Sequence, residues 1–138
     1  MKRIFLVAGL ALVTLGFVSR APQPYRVAFD LTSRDSLDQR AVVRWLREVS
    51  TANPKAQMEV VMYGKGFELV MPERSAVIAE VRDLMANPNF SFTVCEIAMK
   101  NNNIGRSQLL QGAQTVPDGI YELVSKQQDH WGYIKVMN

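Results

Sequence analysis

The chain has 138 residues, 48% of them hydrophobic, a formal charge of +3 and a single cysteine. That length suits one domain with a substantial core and is too short for two, and a lone cysteine excludes a disulfide within the chain. The basic balance excludes more than it implies: Lys2, Arg3 and Arg20 carry the whole excess, and from Pro22 onward 13 basic residues face 13 acidic ones, with no Lys/Arg cluster of the kind that meets nucleic-acid phosphates.

The chain opens with Met1-Lys2-Arg3, followed by the uncharged run IFLVAGLALVTLGFV, Ile4 to Val18. A basic head before an apolar stretch is the layout of a secretory signal. As a helix this run is roughly 22 Å long, short against a hydrocarbon core of about 30 Å. Cleavage after Ala21 would leave Pro22 just past the cut, and Thr14-Leu15-Gly16 is a weaker alternative. Residues 1–21 are therefore expected to be either a removed signal or a retained N-terminal anchor. In both cases residues 22–138 are expected outside the inner membrane, in the periplasm, with membrane contact only through residues 1–21 and only where these are retained. No cysteine stands near the apolar run, so a lipoprotein anchor is not expected.

Strand and helix signals then alternate. YRVAFDLT, Tyr25 to Thr32, is a β-branched and aromatic run that predicts a first strand. Asp35 and Ser36 offer N-caps, with Asp38 and Gln39 in capping-box positions. Leu37, Ala41, Trp45 and Val49 recur every four residues with Leu46 beside them, a helical stripe closed by TANP, Thr51 to Pro54. QMEVVMYG, Gln57 to Gly64, predicts a second strand whose continuous apolar character suits a sheet covered on both faces. Pro72 suits a helix start, and Val77, Ile78, Val81, Leu84 and Met85 supply that helix's apolar side as far as Asn87. FSFTV, Phe90 to Val94, predicts a third strand that delivers Cys95. A short helix around Ser107 to Gln111, a weakly marked fourth strand at AQTVP, a helix over Asp118 to Asp129 with Ile120, Leu123, Val124 and Gln127 in register, and a closing strand GYIKVM follow. This succession predicts a single α/β domain, a three-layer α/β/α fold with a doubly wound, mostly parallel sheet of about five strands. Ligands in such folds sit at the carboxyl ends of the strands.

The stretch from Met58 to Val136 resembles the DsrE/DsrF-like family, small α/β proteins linked to sulfur handling. The pieces that carry the likeness are VVMYGKGFELV, VCEIAMKNNNI and VPDGIYELVSKQQDHWGYIKV, in that order. The resemblance implies a doubly wound parallel sheet, homo-oligomers, a sulfur donor or acceptor protein as partner, and a persulfide carried at the position of Cys95. Here Glu96, Met99 and Lys100 follow that cysteine, where the sulfur carriers have small residues and an Arg-Gly.

Cys95 is the candidate catalytic residue, since sulfur transfer needs a thiolate; Lys100 would favour the charged sulfur and Glu96 would oppose it. The alternative is a buried, unreactive thiol, because free cysteine is among the most buried residue types. Gly64, Lys65 and Gly66, after the second strand, are candidate ligand-binding residues whose amides and ammonium could face an anion, or simply a tight turn. Lys100 and Asn101 join them as ligand-binding candidates, with Asn102 and Asn103 beside them. His130 is the only histidine, too little with one cysteine for a zinc site, so no metal and no cofactor is expected. Glu48, Glu59, Glu68 and Glu73 lie on different elements, and the methionines read as core filling. The expected function is sulfur relay or sulfur-compound binding through Cys95, at most a sulfurtransferase; the competing expectation is an oligomeric binding module in which Cys95 is inert.

Overall fold

The computed structural model describes residues 21–137; the expectations for a signal or anchor fall outside the described residues. Five strands, β1 (Arg26–Leu31), β2 (Gln57–Met62), β3 (Phe90–Cys95), β4 (Gln114–Val116) and β5 (Gly132–Lys135), form one sheet in the order β4-β3-β2-β1-β5. Every pairing is parallel. Four helices connect them: α1 (Ser36–Ala52), α2 (Ile78–Met85), α3 (Glu96–Asn101) and α4 (Gly119–Gln128).

The strand order dictates the layers. From β1 to β4 the chain steps sideways in one direction, then α4 carries it back across the sheet to β5. Right-handed crossovers put connections of opposite direction on opposite faces. Burial agrees: Val42, Val43 and Leu46 of α1 and Val81 of α2 share one large core with Val27, Phe29 and Leu31 of β1, whereas Leu123 of α4 packs on Ala28 and Val61. The result is a three-layer α/β/α fold, with a thick hydrocarbon core on one side of the sheet and a single helix on the other.

Asp35 caps α1 by accepting from the Leu37 amide at 2.7 Å, a contact of the kind that contributes about 1 kcal/mol. The capping box does not close. Gln39 instead donates to the Arg34 carbonyl at 3.4 Å and accepts from the Ala76 amide at 2.8 Å, tying α1 to the turn ahead of α2. The buried side of α1 is consequently Asp38, Gln39, Ala41, Val42, Val43 and Leu46, and Leu37 is left 53% exposed. Pro72 begins no helix. The buried 3-10 segment Gly66–Val70 and the following turn occupy that stretch, and α2 starts six residues later at Ile78. α3 is an element the apolar periodicity does not announce, and the helix expected near Ser107 is one 3-10 turn, Arg106–Gln108. The fourth strand is present where AQTVP placed it.

Candidate functional site

β3 ends at Cys95, which also serves as the N-cap position of α3. α3 buries Ala98 and Met99 in the large core, while α4 lies on the opposite face. The chain therefore leaves β3 and β4 toward different sides of the sheet, and a crevice opens between them, as expected where connections diverge. This crevice is a pocket of about 250 Å³ lined by Tyr63 and Gly64 after β2, Cys95, Ile97 and Asn101 near α3, and Asp118 and Ile120 at the start of α4.

Three sequence candidates, Cys95, Gly64 and Asn101, thus share one pocket. Cys95 is 4% exposed and its thiol caps no backbone amide. Gly119, the first residue of α4, sits so close that a Cβ there would lie 3.0 Å from that of Cys95. Asp118 caps α4 by accepting from the Ile120 amide at 2.9 Å and the Tyr121 amide at 3.4 Å, so its carboxylate is engaged by the helix it begins. Glu96, a residue that would oppose a thiolate, is drawn the other way: it accepts from the Thr115 hydroxyl at 2.8 Å, and Arg106 donates to the same hydroxyl oxygen at 2.8 Å.

The remaining candidates divide. Lys65 is exposed and donates to the Asn102 side chain at the pocket rim. Gly64 holds φ +59 in the turn after β2, a conformation glycine adopts at little cost. Gly66 is no ligand contact: it is buried, and a Cβ on it would fall 2.0 Å from the Leu31 carbonyl oxygen, so it is there for close packing of the 3-10 segment on β1. Lys100 is exposed and does not line the pocket. His130 is exposed in a left-handed turn at φ 63, and Trp131 packs beside Leu123 on the α4 face.

Next to the pocket lies a polar cluster that sequence reasoning missed. Asp30, 3% exposed at the end of β1, accepts from the Tyr133 hydroxyl at 2.6 Å, the Tyr63 hydroxyl at 3.3 Å and the Lys135 ammonium at 3.0 Å. Lys135 also reaches the Thr32 hydroxyl at 3.1 Å. Hydrogen bonding to the Asp30 carboxylate, then burial, pushes the Tyr133 phenol up to about 12. Burial, then the Asp30 charge, raises that of Tyr63 as well. Tyr63 belongs to both groups, since it lines the Cys95 pocket while its hydroxyl points to Asp30.

A second buried set lies under α4. Glu59, 3% exposed, accepts from the Thr93 hydroxyl at 2.6 Å and pairs with the Lys126 ammonium at 2.7 Å. Burial works against the charge on Lys126, but Glu59 and then Glu122 outweigh it and raise its pKa. Lys126 also sits 4.5 Å from the centre of the Trp131 ring. Asp30, Glu59 and Lys135 each interrupt an otherwise apolar strand, which is the sequence signal that could have found both clusters. Among the described residues no three potential ligands gather to hold a metal, and no helix is long and apolar enough to cross a membrane.

No family model matches this chain, and no curated protein does. Among solved structures, a protein of unknown function, MTH1491 from Methanobacterium thermoautotrophicum, is similar: the TM-score is 0.76 at 23% identity, over 80% of this chain and 98% of the other. At that identity the likeness is one of fold.

Proposed function

We propose that residues 22–138 are an exported DsrE/DsrF-like domain that accepts, passes or binds sulfur at Cys95. The observation that carries this is the place of Cys95 in the lining of a pocket of about 250 Å³ at the carboxyl edge of a parallel sheet. In the transfer, the Cys95 thiolate attacks the outer sulfur of a persulfide donor, R–S–SH. The donor's S–S bond breaks, R–S⁻ leaves and takes up a proton, and Cys95 becomes the persulfide. No net oxidation is needed. Glu96, held by Thr115, is turned from the role of opposing that thiolate. Export rests on the apolar run Ile4–Val18 behind a basic head. Homo-oligomer formation is supported by the uncovered side chains of α4, with Ile120 59%, Tyr121 74% and Val124 47% exposed.

Incubating the protein with glutathione persulfide and measuring intact mass tests the transfer. A gain of one sulfur on wild type and none on Cys95→Ser is expected; no gain on wild type, or the same gain on Cys95→Ser, ends the proposal. A second reading, a binding module with an inert thiol, is favoured by the 4% exposure of Cys95. It requires that an alkylating reagent label Cys95 only after denaturation.

A further inference from the structure

A second concavity shares no lining residue with the Cys95 pocket. It is a trough of about 900 Å³ along the outer side of α1, closed on its other flank by Val77 and Glu80 at the start of α2. Its apolar part is Leu37, Ala41, Val43 and Val77, of which Leu37 is half exposed. Its basic part is Arg40, Arg44 and Arg47.

Those arginines stand at i, i+4 and i+7, so they form one line along the helix. Four of the 13 basic residues beyond Pro22, Arg34, Arg40, Arg44 and Arg47, fall in this one part of the sequence. The same stretch holds Asp35, Asp38 and Glu48, so its net charge is only +1; what sets it apart is that three of its arginines become one continuous edge once α1 is formed. Like charges at this spacing weaken a helix by a few tenths of a kcal/mol per pair. The only offset along the line is Arg44 to Glu48 at 3.6 Å, with both side chains about two-thirds exposed. Arg40 and Arg47 form no ion pair among the described residues. Glu48 and Glu80 also face the trough, leaving its net charge positive.

We infer that this trough is the docking site for an acidic amphipathic helix of a partner protein. Three features select that occupant. From Leu37 to Ala52 the trough follows α1 for roughly 22 Å, about four helical turns, which is long for a metabolite. A helix laid beside α1 has the same 5.4 Å pitch, so carboxylates at i, i+4 and i+7 fall in step with the three guanidinium groups. Each guanidinium presents a planar fork that matches a carboxylate with two hydrogen bonds. The apolar floor then receives the leucines of the partner's adjoining face, in the helix-in-groove manner. A flat anionic bilayer would touch the arginine edge and leave that floor unfilled.

The test uses the full-length protein and a fluorescein-labelled four-turn peptide, with glutamates at i, i+4 and i+7 and leucines on the neighbouring face. The control peptide has lysines at those three positions. Anisotropy should report binding of the acidic peptide alone, weakened by added salt. The variant Arg40→Glu/Arg47→Glu should lose about tenfold or more in affinity. Each new Glu lies within a turn of Arg44, so α1 keeps its helix, which circular dichroism checks. Binding of both peptides alike, no binding of the acidic one, or equal affinity for the variant overturns the inference. It is overturned too if the acidic peptide fails while phosphatidylglycerol vesicles bind, or while the protein self-associates, in a way the variant abolishes.

Discussion

The Tyr133 hydroxyl donates to the buried carboxylate of Asp30 across 2.6 Å, joining residues 103 positions apart in sequence. It ties the short edge strand β5 to its neighbour β1, where Tyr133 pairs with Ala28 and Lys135 with Asp30 in a parallel register. Both side chains point to the side that α4 covers only in part, so a carboxylate buried there needs partners from its own sheet. Tyr63 adds a third donor and extends the cluster to the wall of the Cys95 pocket. Local burial, strand attachment and pocket shape therefore depend on one carboxylate.

Removing its cation should cost most. Lys135→Met leaves Asp30 buried with only two phenols, and breaking such a pair costs about 3–5 kcal/mol when both partners are buried. Because the Lys135 side chain is 33% exposed, the loss should be nearer 1–3 kcal/mol. Tyr133→Phe should cost about 1 kcal/mol, and Tyr63→Phe less, its bond being 3.3 Å long. Urea midpoints rank the three; a Tyr63→Phe loss equal to that of Lys135→Met would refute this hierarchy.

The same cluster fixes an alkaline limit. The Tyr133 phenol is pushed from 10.0 up to about 12 by hydrogen bonding to Asp30 and then by burial. A group that holds its proton more tightly in the folded state contributes stability that is whole below the unfolded pKa and is lost as pH rises through the folded one. Stability should therefore hold to about pH 10 and fall between about 10 and 12, with Tyr63 acting in the same direction. Ultraviolet titration of the phenols, run beside denaturation at each pH, checks this. Tyr133→Phe should remove the late-titrating phenol and flatten the decline.

How much of this was open to the sequence differs by element. The strands were legible because β-branched and aromatic runs in a sheet covered on both faces stay apolar along their length, and Cys95 could be placed at the end of β3 for that reason. α1 was legible as a helix, and Ala41, Leu46, Trp45 and Val49 face the core as their spacing implies, but its first turn was not: Gln39, 1% exposed, is inside because it bonds the turn before α2, and Leu37 is left out. α3, six residues long, is too short to show a period. The Asp30 and Glu59 clusters needed strand order, since Lys135 and Lys126 reach their carboxylates only once β5 sits beside β1 and α4 crosses back over the sheet. The arginine line was hidden by a balanced total that says nothing of which helix face the charges share.

Glu59 offers a sharper test of why a buried charge is kept. Lys126→Met should destabilise by about 2–4 kcal/mol, since it leaves a carboxylate with a 4% exposed side chain bonded to Thr93 alone. Replacing the set together, Glu59→Leu with Thr93→Val and Lys126→Leu, should recover most of that loss, because no buried charge or orphaned hydroxyl then remains. Chemical denaturation of the variants measures the coupling. A combined variant weaker than Lys126→Met would mean that this face needs the ion pair itself to hold α4.

Gly66 and Gly119 separate a requirement of the fold from a requirement of the pocket. A Cβ at Gly66 would lie 2.0 Å from the Leu31 carbonyl oxygen and 2.7 Å from its carbon. Backbone cannot swing aside as a side chain does, so Gly66→Ala should cost about 3 kcal/mol or more. At Gly119 the obstacles are the Cβ of Cys95 at 3.0 Å and side-chain carbons of Val61 and Tyr63 at 3.4 and 3.5 Å. A shift of α4 by a few tenths of an ångström relieves them, so Gly119→Ala should fold at a cost of about 1–2 kcal/mol. That shift moves the wall formed by Asp118 and Ile120 relative to the thiol. The alkylation rate of Cys95 in folded Gly119→Ala should therefore differ several-fold from wild type at equal pH. An unchanged rate would mean that the first turn of α4 does not govern entry to Cys95, and that a reagent reaches the sulfur from the side of Gly64 and Asn101.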